Sequence, residues 1–234
     1  ELAPDIKRIP IFGLGCVGGA AGIARAADYV KAYPDQVALL LAVELCSLTF
    51  QRDDLSVANL VSAGLFGDGA AAVVLAGEER ARRMGLRGLR VVDTRSVFYP
   101  DTEDVMGWRI GERGFDIVLS PDVPAIARER LAPDVDAFLA AHGKKRADVA
   151  SWICHPGGPK VLAAVRDGLG LSDHDVRHAW RALAEQGNLS SASVLMVLHA
   201  VMAEGPAVPR DLCLMLAMGP AFCSELLLLE WCDA

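Results

Sequence analysis

Apolar positions along the chain fall into two patterns, short continuous runs and longer stretches of helical composition. Residues 37–46 form an unbroken apolar run with a single acid, Glu44, and residues 70–75 form another; both are predicted as strands buried on both faces. A shorter apolar segment at 9–12 ends at Gly13 and is predicted as a strand. The alanine-rich stretch 20–32, stopped at Pro34, is predicted as a helix, which puts Cys16 at a strand-to-helix turn. Residues 54–65 read as a helix and turn.

The composition shifts to charge over 78–83, and we place a boundary at 78–87, separating residues 1–82 from residues 83–234. Beyond it, strands are predicted at 89–97, 113–119, 149–154, 212–217 and 224–231. Helices are predicted at 134–142, at 159–168, where proline occupies the first turn, and at 190–202. Buried strands alternating with helices, with reactive residues where strands end, describe a layered α/β fold. No repeat or low-complexity segment interrupts it.

The 234 residues, 53% of them hydrophobic, are enough to bury a sizeable core. No apolar run reaches the roughly 18 residues that span a bilayer, so a membrane span is not expected. The six cysteines lie far apart with no CxxC pair, which favours free thiols in a reducing cytoplasm. A net charge of −7 argues against nucleic acid as a partner. Lys144-Lys145-Arg146 reads as a solvated loop. The sequence opens at Glu1 without methionine and runs directly into the cysteine segment, so an N-terminal portion is expected to be missing from it.

Cys16 stands in Gly13-Leu14-Gly15-Cys16-Val17-Gly18-Gly19. A thiol at a helix N-terminus gains from the dipole and from nearby N–H groups, which lower its pKa and can hold an oxyanion. A small buried cysteine in a glycine-rich turn fits the same residues. His155 follows an apolar strand and precedes Pro156-Gly157-Gly158, a rigid turn from which its ring can face a pocket. Asn188, between Gly187 and Ser190-Ser191, can donate its amide to the same acceptor, although asparagine there also serves as a helix cap. Phe66, before Gly67-Asp68-Gly69, is either a wall that excludes water or a core aromatic. An imidazole beside an amide donor suits a reaction that builds negative charge on a thioester oxygen, such as decarboxylation of a malonyl thioester, and that chemistry calls for no metal or organic cofactor. His174 and His178 lie four apart without a third ligand candidate, on what reads as a solvated helix face, so no metal site is expected.

Four blocks in order carry a resemblance: Gly15-Cys16-Val17-Gly18-Gly19, Gly64-Leu65-Phe66-Gly67-Asp68-Gly69-Ala70-Ala71-Ala72, Trp152-Ile153-Cys154-His155-Pro156-Gly157-Gly158-Pro159, and Gly187-Asn188-Leu189-Ser190-Ser191-Ala192. Together they resemble the type III polyketide synthases, the chalcone-synthase-like branch of the thiolase-fold condensing enzymes. Ketoacyl-ACP synthase III enzymes share the Cys/His/Asn logic, but their histidine motif typically reads His-Gln-Ala-Asn where this chain has His-Pro-Gly-Gly. The resemblance implies a layered αβαβα thiolase-like fold, with residues 1–82 as the later part of the first half-fold and residues 83–234 as the second. It implies Cys16 as the acyl-carrying nucleophile, His155 and Asn188 as stabilisers of the enolate and oxyanion, and Phe66 as gatekeeper. Cys46, Thr49, Gly107, Phe115 and Ser190 match cavity positions of the family, and Lys160 is a candidate CoA contact.

The resemblance further implies a cytoplasmic homodimer that uses acyl-CoA and malonyl-CoA as substrates, with no other cofactor, no nucleic acid and no membrane span. Cys46 stands where threonine is usual in plant members, and Ala217-Met218-Gly219-Pro220-Ala221 replaces Gly-Phe-Gly-Pro-Gly. Met106-Gly107-Trp108 borders the cavity glycine. These departures resemble bacterial synthases of alkylpyrones or alkylresorcinols with a medium- or long-chain fatty acyl starter. The alternative is a synthase that uses malonyl-CoA alone and makes a dihydroxyphenylacetyl-CoA-like or naphthalene product. A non-catalytic interaction module on the same fold is the third reading. Family members carry an N-terminal stretch ahead of the cysteine block, and its absence here predicts open strand edges and exposed core surface.

Overall fold

A computed structural model describes residues 3–112 and 114–232. In chain order the elements are α1 (Gly18–Ala32), β1 (Val37–Glu44), α2 (Val57–Leu65), β2 (Gly69–Ala76), α3 (Glu78–Met84), β3 (Gly88–Phe98), β4 (Met106–Gly111), β5 (Gly114–Leu119), α4 (Val123–Ala140), β6 (Val149–Cys154), α5 (Pro159–Leu169), α6 (Arg177–Gln186), α7 (Ser191–Glu204), β7 (Leu212–Gly219) and β8 (Cys223–Cys232). Short 3-10 turns at Gly15–Val17 and Cys46–Thr49 border the first two elements.

The larger sheet runs in the order β3-β8-β7-β6, with β6 parallel to β7 and the other pairs antiparallel. Strands β1 and β2 form a separate antiparallel ribbon, and β4 and β5 a hairpin. Helices α1 and α7 lie against each other between the ribbon and the larger sheet. Helices α4 and α5 pack together beyond that sheet, with α4 against β8. The order sheet, helices, sheet, helices reproduces the layering of a thiolase-like fold. Each buried layer loses its apolar faces to its neighbours, and Phe138, Leu139, Ile153, Leu216, Leu226, Leu227 and Leu228 are fully buried in this way.

Several sequence expectations are corrected. Residues 9–12 are irregular, with Ile9 and Phe12 exposed, because no strand among the described residues lies alongside to complete a ladder. The run 37–46 is not buried on both faces. Leu39, Leu41 and Val43 alternate outward with Ala70, Ala72 and Val74 across the ribbon, and only the opposite face meets α1 and α7. The expected helix 134–142 begins at Val123: Pro124 sits in the first turn, where its missing N–H costs nothing, and Pro133 is accommodated inside. The predicted strand 113–119 is β5, with residue 113 outside the described residues.

The charged stretch at the proposed boundary forms helix α3. Glu78 and Glu79 start it, Arg82 and Arg83 end it, and Gly85 closes it in the left-handed region, so the charges complement the helix dipole. His174 and His178 share no helix face, since α6 begins at Arg177 and His178 is buried with Nε2 against the Glu204 carboxylate. Arg146 is not part of a solvated loop; it donates to Asp136 Oδ1 at 2.7 Å and to the Leu169 carbonyl at 2.8 Å. Among the described residues no helix is long and apolar enough to cross a membrane.

The two sheets respond differently to truncation. Leu227→Ala in the larger sheet is expected to cost about 2–5 kcal/mol, whereas Leu41→Ala on the open ribbon face stays within about 0.5 kcal/mol, both read from urea midpoints. A loss at Leu41 equal to that at Leu227 would mean that the ribbon face is covered in solution.

Candidate active site

Cys16 lies in the 3-10 turn that leads into α1, and Gly15, with φ +48°, gives that turn its left-handed step. A Cβ at Gly15 would come within 2.7 Å of Pro220, so the turn is wedged beneath the β7–β8 connection. The second residue of the helix behind it is Gly19, where a Cβ would stand 2.1 Å from the Ser191 carbonyl oxygen. Only glycine lets the start of α1 approach the start of α7 this closely.

That approach brings Asn188 to the thiol. Asn188 is buried, and its backbone forms a parallel bridge with Phe66: Asn188 N donates to Leu65 O at 2.9 Å, and Gly67 N donates to Asn188 O at 2.9 Å. Its Oδ1 accepts from Ser190 N at 2.8 Å and Ser193 Oγ at 3.5 Å. The amide nitrogen is thereby turned outward, donating to Gly157 O at 3.1 Å and to Cys16 Sγ at 3.9 Å. Asn188 is thus more than a helix cap, since its donors reach both the thiol and the histidine turn.

His155 follows β6 and is tied to β7 by its N–H, which donates to Leu216 O at 2.9 Å. The ring is buried, and neither Nδ1 nor Nε2 has a hydrogen-bond partner among the described residues. Burial lowers its pKa to about 4, so the ring is neutral near pH 7. Burial likewise pushes the Cys16 thiol up to about 12, against lowering by hydrogen bonds to Ser190 and Asn188. The helix N-terminus was expected to lower this thiol; desolvation outweighs it, and the resting pair is a neutral thiol and a neutral imidazole. An imidazole with two unengaged nitrogens in a buried wall can donate to an oxyanion that forms beside it.

Cys16, His155 and Asn188 open on one cavity of about 1680 Å3. Phe66, Cys46, Thr49, Gly107, Phe115 and Ser190 line it as well, and the exposed Lys160 stands on its rim at the second residue of α5. Thr49 Oγ1 is occupied by the Cys46 carbonyl at 2.9 Å, and the Cys46 thiol is pushed up to about 11 by burial and by the acids Glu44 and Asp68. Trp108 meets Phe115 edge-on at 5.9 Å and completes an apolar wall. Ser190 has φ +51°, unusual for a residue with a side chain.

Three participants were not singled out from the sequence. Asp68 accepts from Ser47 N and Ser47 Oγ, each at 2.7 Å, and so ties the Cys46–Thr49 turn to the segment after Phe66. Those bonds hold its carboxyl below the usual range. Glu44 accepts from Ser191 Oγ at the start of α7. Its signal was present as the one acid within an apolar run. Ser193, whose Oγ accepts from Leu189 N at 2.6 Å, carries no such signal.

The N-terminal domain of chalcone and stilbene synthases matches residues 1–79, and the C-terminal domain of the same family matches residues 90–232. The chain belongs to this family, the type III polyketide synthases. It is 55% identical over 227 residues to the 1,3,6,8-tetrahydroxynaphthalene synthase of Streptomyces peucetius subsp. caesius, covering 97% of this chain and 60% of that protein. It is 30% identical to the alpha-pyrone synthesis polyketide synthase-like Pks18 of Mycobacterium tuberculosis, over 86% of this chain and 51% of that protein. The crystal structure of the Streptomyces coelicolor 1,3,6,8-tetrahydroxynaphthalene synthase superposes with a TM-score of 0.90 at 37% identity, over 97% of this chain and 63% of that one. The chain therefore spans between about half and about three-fifths of the length of these relatives.

The neutral histidine has a measurable cost in acid. Its pKa falls from 6.5 in the unfolded chain to about 4 in the fold, so the unfolded state binds the extra proton first. The stability it contributes is complete above about pH 6.5 and is lost as pH falls toward 4, amounting to roughly 3 kcal/mol. The difference in urea midpoint between the native protein and His155→Gln should shrink across that window; a difference independent of pH would show that the ring titrates normally.

Proposed function

We propose that this chain carries the reaction centre of a type III polyketide synthase that condenses malonyl-CoA units on a Cys16 thioester. The observation that carries the reading is the convergence, in one cavity, of a buried thiol with the Asn188 amide and an unengaged His155 ring. In the loading step Cys16 loses its proton, its sulfur bonds to the acyl carbon, and the CoA thiolate leaves and takes up the proton. Malonyl-CoA then loses carbon dioxide as its carboxylate carbon–carbon bond breaks, and the electron pair passes onto the thioester oxygen as an enolate. The His155 ring N–H and the Asn188 amide donate to that oxygen. The enolate carbon attacks the Cys16 thioester carbonyl, the carbon–sulfur bond breaks, and the extended chain leaves on CoA while the Cys16 thiolate released takes up a proton from water to regenerate the thiol. The CoA thioesters supply the driving force, and the reaction as written calls for no other cofactor.

Phe66, held by its backbone bridge to Asn188, would form the apolar wall beside the reacting carbon, and Lys160 on the rim would meet a CoA phosphate. For the product we favour malonyl-CoA as both starter and extender, giving a tetrahydroxynaphthalene. The support is 55% identity to a synthase of that name across nearly the whole chain. A fatty acyl starter and an alkylpyrone product form the second reading, favoured by the size and apolar lining of the cavity and by the likeness to Pks18. A homodimer is part of the same reading, as the resemblance to the family implies.

Chromatography with mass detection separates the readings. The protein incubated with malonyl-CoA alone should yield the tetrahydroxynaphthalene mass, with no product from Cys16→Ala. Product only when a fatty acyl-CoA is added would replace the first reading by the second. No product from malonyl-CoA with any acyl-CoA starter would overturn the synthase reading.

A further inference from the structure

Glu44 ends β1 on the cavity wall, and its carboxylate accepts a hydrogen bond from the hydroxyl of Ser191. Ser191 is buried and is the first residue of α7. Its carbonyl oxygen is the atom against which Gly19 packs, and its Cβ stands 3.2 Å from where a Cβ at Gly18 would be. Ser191 is therefore fixed at the junction of three elements: the start of α1 just after Cys16, the end of β1, and the start of α7 just after Asn188. The residue before it, Ser190, holds a positive φ, which persists only where its surroundings over-determine it. Two restraints do so here, the Asn188 Oδ1 acceptor on one side and the Glu44–Ser191 bond on the other.

We propose that Glu44 is a positioning residue of the synthase reaction, acting through Ser191 to hold Ser190 and Asn188 as hydrogen-bond donors against the Cys16 sulfur. This rests on the polyketide synthase reading for its effect on turnover, but the restraint itself can be read in the free protein. Glu44 has a second and opposite influence, because its negative charge lies close enough to Cys16 to disfavour the thiolate. The other titratable groups at the thiol are Cys46, beyond the end of β1, and His155, beyond the end of β6. The tether favours the thiolate by placing donors on it, and the charge disfavours it. Two substitutions separate these effects. Glu44→Gln keeps an oxygen acceptor for Ser191 and removes the charge. Ser191→Ala removes the tether and keeps the charge.

The readout is the rate of Cys16 alkylation by iodoacetamide at pH 8, followed by peptide mass, in the protein without substrate. Glu44→Gln should be alkylated several-fold faster than the native protein and Ser191→Ala several-fold slower, each about 3-fold or more. In turnover with malonyl-CoA, Ser191→Ala and Glu44→Ala should lose kcat by about 10- to 100-fold with KM nearly unchanged, and Glu44→Gln should recover most of it. A thermal melt confirms that each variant is folded. Equal alkylation rates in all variants, or slower alkylation in Glu44→Gln, would overturn the proposal. So would Glu44→Gln falling as far in kcat as Glu44→Ala. If the native protein makes no product while the alkylation rates still diverge in the stated directions, the restraint stands and the synthase reading alone fails.

Discussion

The approach of α1 to α7 is the constraint on which the rest of the molecule depends. Gly19 has no room for a Cβ against the Ser191 carbonyl, and that contact fixes how the two central helices meet. Cys16 precedes one helix and Asn188 the other, so the helix junction brings the two residues together, and the bonds to Asn188 Oδ1 turn its amide nitrogen to within 3.9 Å of the sulfur. The ribbon and the larger sheet then sandwich the pair, and β6 delivers His155 from the far side through its tie to β7. The three residues, distant in sequence, meet because two helix starts share one tightly packed junction and β6 ends beside it.

The electrostatic character of the site follows from burial. Burial in the cavity wall raises a thiol and lowers an imidazole, so both rest uncharged and the negative charge develops only when substrate brings it. In such surroundings preorganised donors act on an oxyanion more strongly than they would in water. Asn188 is preorganised in a specific sense: its oxygen is occupied by Ser190 and Ser193, which leaves its nitrogen as the group presented to the cavity. The Glu44 charge works against the thiolate while its hydrogen bond supports the donors, so one side chain balances both sides of the same equilibrium.

The layered fold, and the meeting of Cys16, His155 and Asn188 in one cavity, were legible in the sequence because Cys16 and His155 sit in glycine-rich turns after apolar segments and Asn188 follows Gly187 just before one. What was not legible depended on partners remote in the chain. The ribbon face at Leu39 and Leu41 looks the same in sequence whether a layer covers it or not. Helix α3 was hidden by its charge, although the acidic start and basic end were there to be read. Helix α4 was expected only over 134–142, whereas it begins at Val123 with Pro124 in its first turn and Pro133 inside it. His178 looked solvated because its partner Glu204 lies a full helix away. The raised thiol pKa was missed for the same reason, since desolvation is a property of the assembled cavity.

In the reaction we propose, Cys16, and not the neighbouring cavity thiol Cys46, carries the growing acyl chain. The most direct measurement is peptide mapping by mass spectrometry after brief incubation with acyl-CoA and acid quenching. A thioester adduct is expected on the Cys16 peptide, lost in Cys16→Ser and unaffected by Cys46→Ser. An adduct on Cys46, or one that survives substitution of Cys16, would contradict it.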